Sequence, residues 1–198
     1  MSPPEFVVEP FGDRALVVRF RAQPSVELTS VLAGLARGAA GLEPVVDAWP
    51  GLTSVLIETA RGGADRVREL VPELIAGVET APGTLHTVEV AYDGEDLAWV
   101  CEHLGIPADT LIARHSEPVY DVRLLGSPGF VYLSEVPAEI AVPRLEEPRP
   151  LVAGGSVGIG GSQAGIYGRP RPGGWRIIGR AVEVPPVVPG DRVRFVPR

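Results

Sequence analysis

Gly154–Arg180, GGSVGIGGSQAGIYGRPRPGGWRIIGR, is the stretch on which the reading of this chain turns. Ten of its 27 residues are glycine and four are arginine, so it could pass for a flexible linker or a phosphate loop. A linker would carry no side-chain pattern. Here Val157, Ile159, Ile166 and Ile177 alternate with polar or glycine positions, which is the period of strands. A dinucleotide loop fits no better, because GIGGSQ has the first two glycines of that fingerprint without the third and no helical pattern follows. The stretch therefore reads as β-structure whose glycines serve bulges, corners and close backbone approach. Glycine-rich turns can also form an anion nest from backbone N–H groups, so anion binding stays open.

Working outward, the region after Ser116 holds VYDVRLL, GFVYL, LVAGGSVGIG, AGIYG, WRIIGR and DRVRFV, separated by Pro/Gly turns. Short strands at this spacing predict a barrel or sandwich. Between HTVEVAY and that region lie two short helices, EDLAWVCEHLG and PADTLIARH, the first with Leu97, Val100, Cys101 and Leu104 on one face. That pattern makes Cys101 a core residue rather than a nucleophile. The first eighty residues read as β-β-α-β-β-α, with two amphipathic helices packed on one face of a small sheet and a kink expected at Pro72. ETAPGT at 79–84 punctuates the two patterned regions. The expectation is an α+β protein with an N-terminal α/β domain over 1–82 and a β-barrel domain over 83–198.

Composition excludes several functions. The net charge of −7 argues against nucleic acid or an anionic membrane as partner, and no apolar run is long enough to span a bilayer. One cysteine and no N-terminal signal pattern point to a cytoplasmic protein. All 18 basic residues are arginine, so no lysine can sit on a nucleotide phosphate or form a Schiff base. Any cation in a site must be a planar guanidinium, which suits carboxylate or phosphate. Three histidines without ligand spacing predict no metal site.

GFVYL, VPRLEEPRP, GGSVGIGGSQAGIYG, PGGWRIIGR and PGDRVRFV occur in an order that resembles the family containing the B-type subunit of bacterial 5-oxoprolinase. That family is also labelled allophanate hydrolase subunit one or carboxyltransferase small subunit, and includes a sporulation-kinase inhibitor. FGDRALVVRF and ARHSEPVYDV extend the resemblance over nearly the whole chain. It implies a cyclophilin-like barrel and a subunit of an ATP-dependent lactam hydrolase that opens 5-oxoproline to glutamate and is inactive alone. The implied partners are a larger carboxyltransferase-like subunit, a third, hydrolase subunit and a small amide substrate. ATP with Mg would act at the level of the complex, with none bound by this chain alone. The alternatives are an allophanate hydrolase or carboxyltransferase-type subunit and a histidine-kinase inhibitor that acts by binding. GSPGF and QAG are shorter or less polar than the family's pattern at these points.

Two residues are candidates for catalysis. His115 could act as a general base or donate to a substrate carbonyl, and Gln163 can both donate to and accept from an amide. Arg144 and Arg149 could clamp an anion, or else pair with Glu146 and Glu147. Tyr167 and Trp175 suit either a barrel core or a binding wall. The resemblance adds Gly129, Phe130, Tyr132, Gly165 and Arg180 to the substrate- or anion-binding set. His115, Arg144 and Gln163 are expected to meet at one rim of the barrel.

Overall fold

The computed structural model describes residues 4–78, 83–126 and 129–198. The chain divides into two compact units, Met1–Gly83 and Thr84–Arg198. Most of the punctuating 79–84 segment, and two residues of GSPGF, fall outside the described residues.

The first unit runs β1 (Phe6–Phe11), β2 (Ala15–Phe20), α1 (Val26–Ala40), β3 (Val45–Pro50), β4 (Ser54–Thr59) and α2 (Ala64–Ala76). Its strands form an antiparallel sheet in the order β1-β2-β4-β3. Leu16, Val18, Val55 and Ile57 point from the sheet into one cluster with Leu28, Leu32 and Leu35 of α1 and Val67, Val71 and Ile75 of α2. Alternation in the strands and helical spacing in α1 and α2 thus meet in a single core. Ser25 starts α1 by accepting the Leu28 N–H on its Oγ at 3.1 Å. Pro72 is exposed within a helix that continues to Ala76.

The second unit opens with β5 (Leu85–Ala91), α3 (Leu97–Leu104), α4 (Ala108–Ser116), β6 (Val119–Gly126) and β7 (Phe130–Glu135). It continues with β8 (Arg149–Val152), β9 (Ser156–Gly160), β10 (Gln163–Tyr167), β11 (Arg171–Gly173), β12 (Arg176–Ala181) and β13 (Arg192–Pro197). Seven strands close a barrel in the order β10-β7-β6-β13-β5-β12-β9, with β5 and β13 its parallel pair. β8 and β11 pair separately as a two-stranded ribbon. LVAGGSVGIG is therefore two strands rather than one: the backbone turns at Gly155, whose φ of +85° lies in the region that favours glycine.

Alternate residues of the barrel strands fill its core: Val88, Val90, Tyr120, Val122, Val131, Leu133, Val157, Ile159, Ala164, Ile166, Ile178, Val193 and Phe195. Val100 of α3 and Leu111 of α4 join them, and Cys101 is half-buried near this cluster. Asp191 ties the end of the unit to its beginning, accepting from the Thr84 and Val188 N–H groups and pairing with His86 Nε2 at 3.0 Å.

Candidate functional site: an aromatic cleft on the outer barrel wall

The strands that send Val131, Leu133, Ile159, Ala164 and Ile166 inward present Phe130, Tyr132, Gly158, Gly160, Gly165 and Tyr167 on their other face. Phe130, Tyr167 and Trp175 form a second cluster there with Val152 and Ile177, and Tyr132 packs against it. Phe130 meets Tyr167 and Trp175 edge-on, with ring centroids 4.7 and 4.9 Å apart. The glycines make this layer possible. A Cβ on Gly165 would meet Phe130 Cζ at 2.7 Å and Trp175 Cζ3 at 2.8 Å, and one on Gly160 would run into the Trp175 indole. The glycine richness of the quoted stretch is thus a seat for aromatic rings.

The ribbon and the Arg144–Pro148 segment border this layer and leave a cleft of about 230 Å³, lined by Phe130, Tyr132, Arg144, Tyr167, Arg171 and Trp175 among others. Pockets of about 300–1,000 Å³ take drug-sized ligands, so this one suits a small metabolite. The Arg144 guanidinium lies over the Trp175 ring, 5.1 Å from its centroid, and that of Arg171 over the Phe130 ring at 5.7 Å. Neither arginine forms an ion pair with a carboxylate among the described residues, and Arg171 Nη1 is buried without a hydrogen-bond partner there. Burial pushes the Tyr167 phenol up; the Trp175 backbone hydrogen bond and the Arg171 charge act the other way but do not cancel it. The phenol is therefore held protonated. Flat apolar rings beside two guanidinium groups can hold a small anion with an apolar or planar body.

The structure gathers Phe130, Tyr132, Arg144, Tyr167 and Trp175 in this cleft, with Gly165 beneath its rings, and places His115, Gln163, Arg149, Arg180 and Gly129 elsewhere. His115, at the end of α4, has no exposed surface. Its ring stacks on Phe195 with centroids 4.7 Å apart, lies 5.6 Å from that of Tyr120, and shares a 2.8 Å hydrogen bond through Nδ1 with the Tyr92 hydroxyl. Nε2 has no partner among the described residues. Burial lowers the His115 pKa to about 3, so the ring is neutral. These contacts put it with the barrel core rather than in the cleft. The common rim expected for His115, Arg144 and Gln163 is not built, because an imidazole flanked by Phe195 and Tyr120 belongs to the apolar interior.

Gln163 begins β10 on the same face as Gly165 and Tyr167 but does not line the cleft. Arg149 is occupied: it donates to Asp96 Oδ1 at 2.8 Å and pairs with Glu95 Oε1 at 3.0 Å. Burial opposes its charge, but the hydrogen bond and charge of Asp96 outweigh that and raise its pKa. The nearly buried Asp96 also accepts the Ile177 N–H at 2.7 Å, so Arg149 fastens α3 to the barrel rather than awaiting a ligand. Neither Arg144 nor Arg149 pairs with Glu146 or Glu147. Arg180 is exposed and pairs with Asp93. Gly129, with φ of +70°, turns the chain into β7 and accepts the Gly168 N–H on its carbonyl. Arg171 had no motif to mark it; it sits unremarked in GRPRPGG, within the quoted stretch.

Among the described residues no group of His, Cys, Asp and Glu could hold a metal ion, and no helix is long and apolar enough to cross a membrane.

Residues 6–184 match the family described as carboxyltransferase domain, subdomain C and D. The chain is 35% identical to the B-type subunit of 5-oxoprolinase from Escherichia coli O157:H7, over 94% of each chain. Among solved structures it resembles TTHA0988 with a TM-score of 0.82 and 34% identity, over 93% of this chain and 40% of that one. The Kluyveromyces lactis urea amidolyase shares the fold at a TM-score of 0.73 and 16% identity, over 99% of this chain and 15% of that one.

Proposed function

Because the chain belongs to the carboxyltransferase domain family, subdomain C and D, we propose that it is one subunit of a heteromeric, ATP-dependent 5-oxoprolinase in the cytoplasm. The observation that carries this reading is the aromatic cleft with two guanidinium groups that have no carboxylate partner among the described residues, in a chain similar to a 5-oxoprolinase subunit over 94% of its length. 5-Oxoproline is a small acid whose ring is closed by an amide, and a cleft of about 230 Å³ matches that scale. The half-buried free thiol of Cys101 suits a reducing compartment.

A lactam is a poor electrophile, and ATP supplies a phosphoryl group that turns its carbonyl oxygen into a leaving group. The cleft is too small for a nucleotide, and the chain has no lysine-bearing phosphate loop, so ATP and Mg belong to other subunits. This chain's residues bind and orient. Trp175 and Phe130 hold the ring away from bulk water, Arg144 draws in the acid, and the protonated Tyr167 offers a hydroxyl to the amide. The cleft opens on the outside of the barrel wall, where a partner subunit can complete it. Support for such a partner comes from TTHA0988, a longer chain of which this one spans 40%.

The test is reconstitution. The chain is purified with a larger carboxyltransferase-like subunit and a hydrolase subunit, and ADP and glutamate are measured. 5-Oxoproline-dependent ATP hydrolysis is expected from the assembly and not from this chain alone. Turnover by the isolated chain, or its failure to copurify with a larger subunit, overturns the shared-site reading.

A further inference from the structure

We infer that Arg171, together with Arg144, forms a carboxylate clamp that makes the cleft selective for small amide-bearing acids over uncharged amides. The inference rests on the cleft being the substrate site proposed above, and it replaces Arg149 with Arg171 as the second guanidinium.

Neighbouring arginines show what a satisfied one looks like here. Arg149 and Arg176 both meet Asp96, at 2.8 and 3.6 Å, and Arg176 also lies 3.4 Å from the centroid of the Trp99 ring. Arg144 and Arg171 have ring faces but no carboxylate among the described residues. A ring face satisfies the plane of a guanidinium and leaves its in-plane N–H donors unmet. In Arg171 one such nitrogen, Nη1, is buried with no acceptor among the described residues. Both side chains also line the cleft, where an entering anion can accept from the guanidinium donors that remain accessible.

Geometry narrows that anion. The two guanidinium groups cover adjoining rings whose centroids are 4.9 Å apart, and both line one cleft of about 230 Å³. Two planar forks over an aromatic floor fit a flat carboxylate on a small body. The ribbon fixes the second fork, because Arg171 is held in β11 by its pairing with Val152 of β8. Pro172 follows it and Pro170 precedes it, restricting the backbone on both sides.

The experiment is calorimetric titration of the full 198-residue chain with four probes: 5-oxoproline, 2-pyrrolidinone, cyclopentanecarboxylate and inorganic phosphate. 2-Pyrrolidinone is the same ring without the carboxylate, and cyclopentanecarboxylate is a similar ring without the amide. Both carboxylates are expected to bind, and 2-pyrrolidinone and phosphate at least about tenfold more weakly. Arg171→Gln should weaken carboxylate binding about tenfold or more at an unchanged thermal midpoint, and Arg171→Lys should restore only part, since an ammonium lacks the fork. Arg180→Gln, which removes the same charge outside the cleft, should bind as the parent does. Unaltered binding by Arg171→Gln overturns the clamp, as does binding of 2-pyrrolidinone or phosphate equal to that of the carboxylates. An equal loss in Arg180→Gln reduces the effect to bulk charge and also overturns it. Absence of carboxylate binding by the parent chain does the same. If cyclopentanecarboxylate binds in an Arg171-dependent way while 5-oxoproline does not, the clamp stands and the 5-oxoprolinase reading fails.

Discussion

The two faces of one barrel wall differ more than any two elements of the chain. β7 and β10 contribute Val131, Leu133, Ala164 and Ile166 to the interior, and Phe130, Tyr132, Gly165 and Tyr167 to the outside. The inner face of these two strands is closed and aliphatic. The outer face is aromatic, seated on glycines and edged by arginines that lack acid partners among the described residues. Strand alternation lets one segment serve both purposes, so stability and recognition lie on opposite sides of the same backbone.

Substitutions can break or sharpen this contrast. The largest effect is expected inside: Leu133→Ala removes a fully buried side chain and should destabilise by about 3 kcal/mol, read from the urea midpoint. Arg149→Ala should follow closely, at roughly 2–3 kcal/mol, because it strips the nearly buried Asp96 of its nearest guanidinium while leaving Arg176 and the Ile177 N–H. A loss under about 0.5 kcal/mol would mean that Arg149 is free for a ligand after all.

His115 gives a smaller effect with a defined sign. Its pKa is about 3 when folded and about 6.5 when unfolded, so between these values only the unfolded chain takes up the proton. Its contribution is therefore complete above about pH 6.5 and is lost as pH falls towards 3. Between pH 7 and pH 5 the parent should lose roughly 2 kcal/mol more than His115→Phe does, compared by urea unfolding at each pH. Equal losses in the two proteins would place His115 in water rather than in the core.

Arg144→Gln should change stability least, within about 0.5 kcal/mol, because the side chain is exposed and has no carboxylate partner among the described residues. Turnover of the assembled complex should nevertheless fall by at least about tenfold. Wild-type turnover would remove Arg144 from the site.

The order β-β-α-β-β-α, the strand-rich second half and the barrel were all legible, because period 2 and period 3.6 are written in single residues such as Val157 and Ile159 or Leu28 and Leu32. The break of LVAGGSVGIG into β8 and β9 was less so, since it depends on the conformation adopted at Gly155. Of the site, the aromatic residues could be read from the stretch and its resemblance. The pairing state of the arginines could not: Arg144, Arg149 and Arg171 are alike as letters, and the positions of Glu95 and Asp96 are what set Arg149 apart. His115 shows the same limit. A histidine at a helix end can face solvent or core, and the direction is set by Tyr120, five residues on, together with Tyr92 and Phe195, which reach it from other parts of the chain. Local pattern determined which faces exist, since it acts through neighbouring residues. Which charge is neutralised and which is left for a ligand was decided by tertiary structure, because electrostatic and desolvation energies depend on distances in space that sequence separation does not encode.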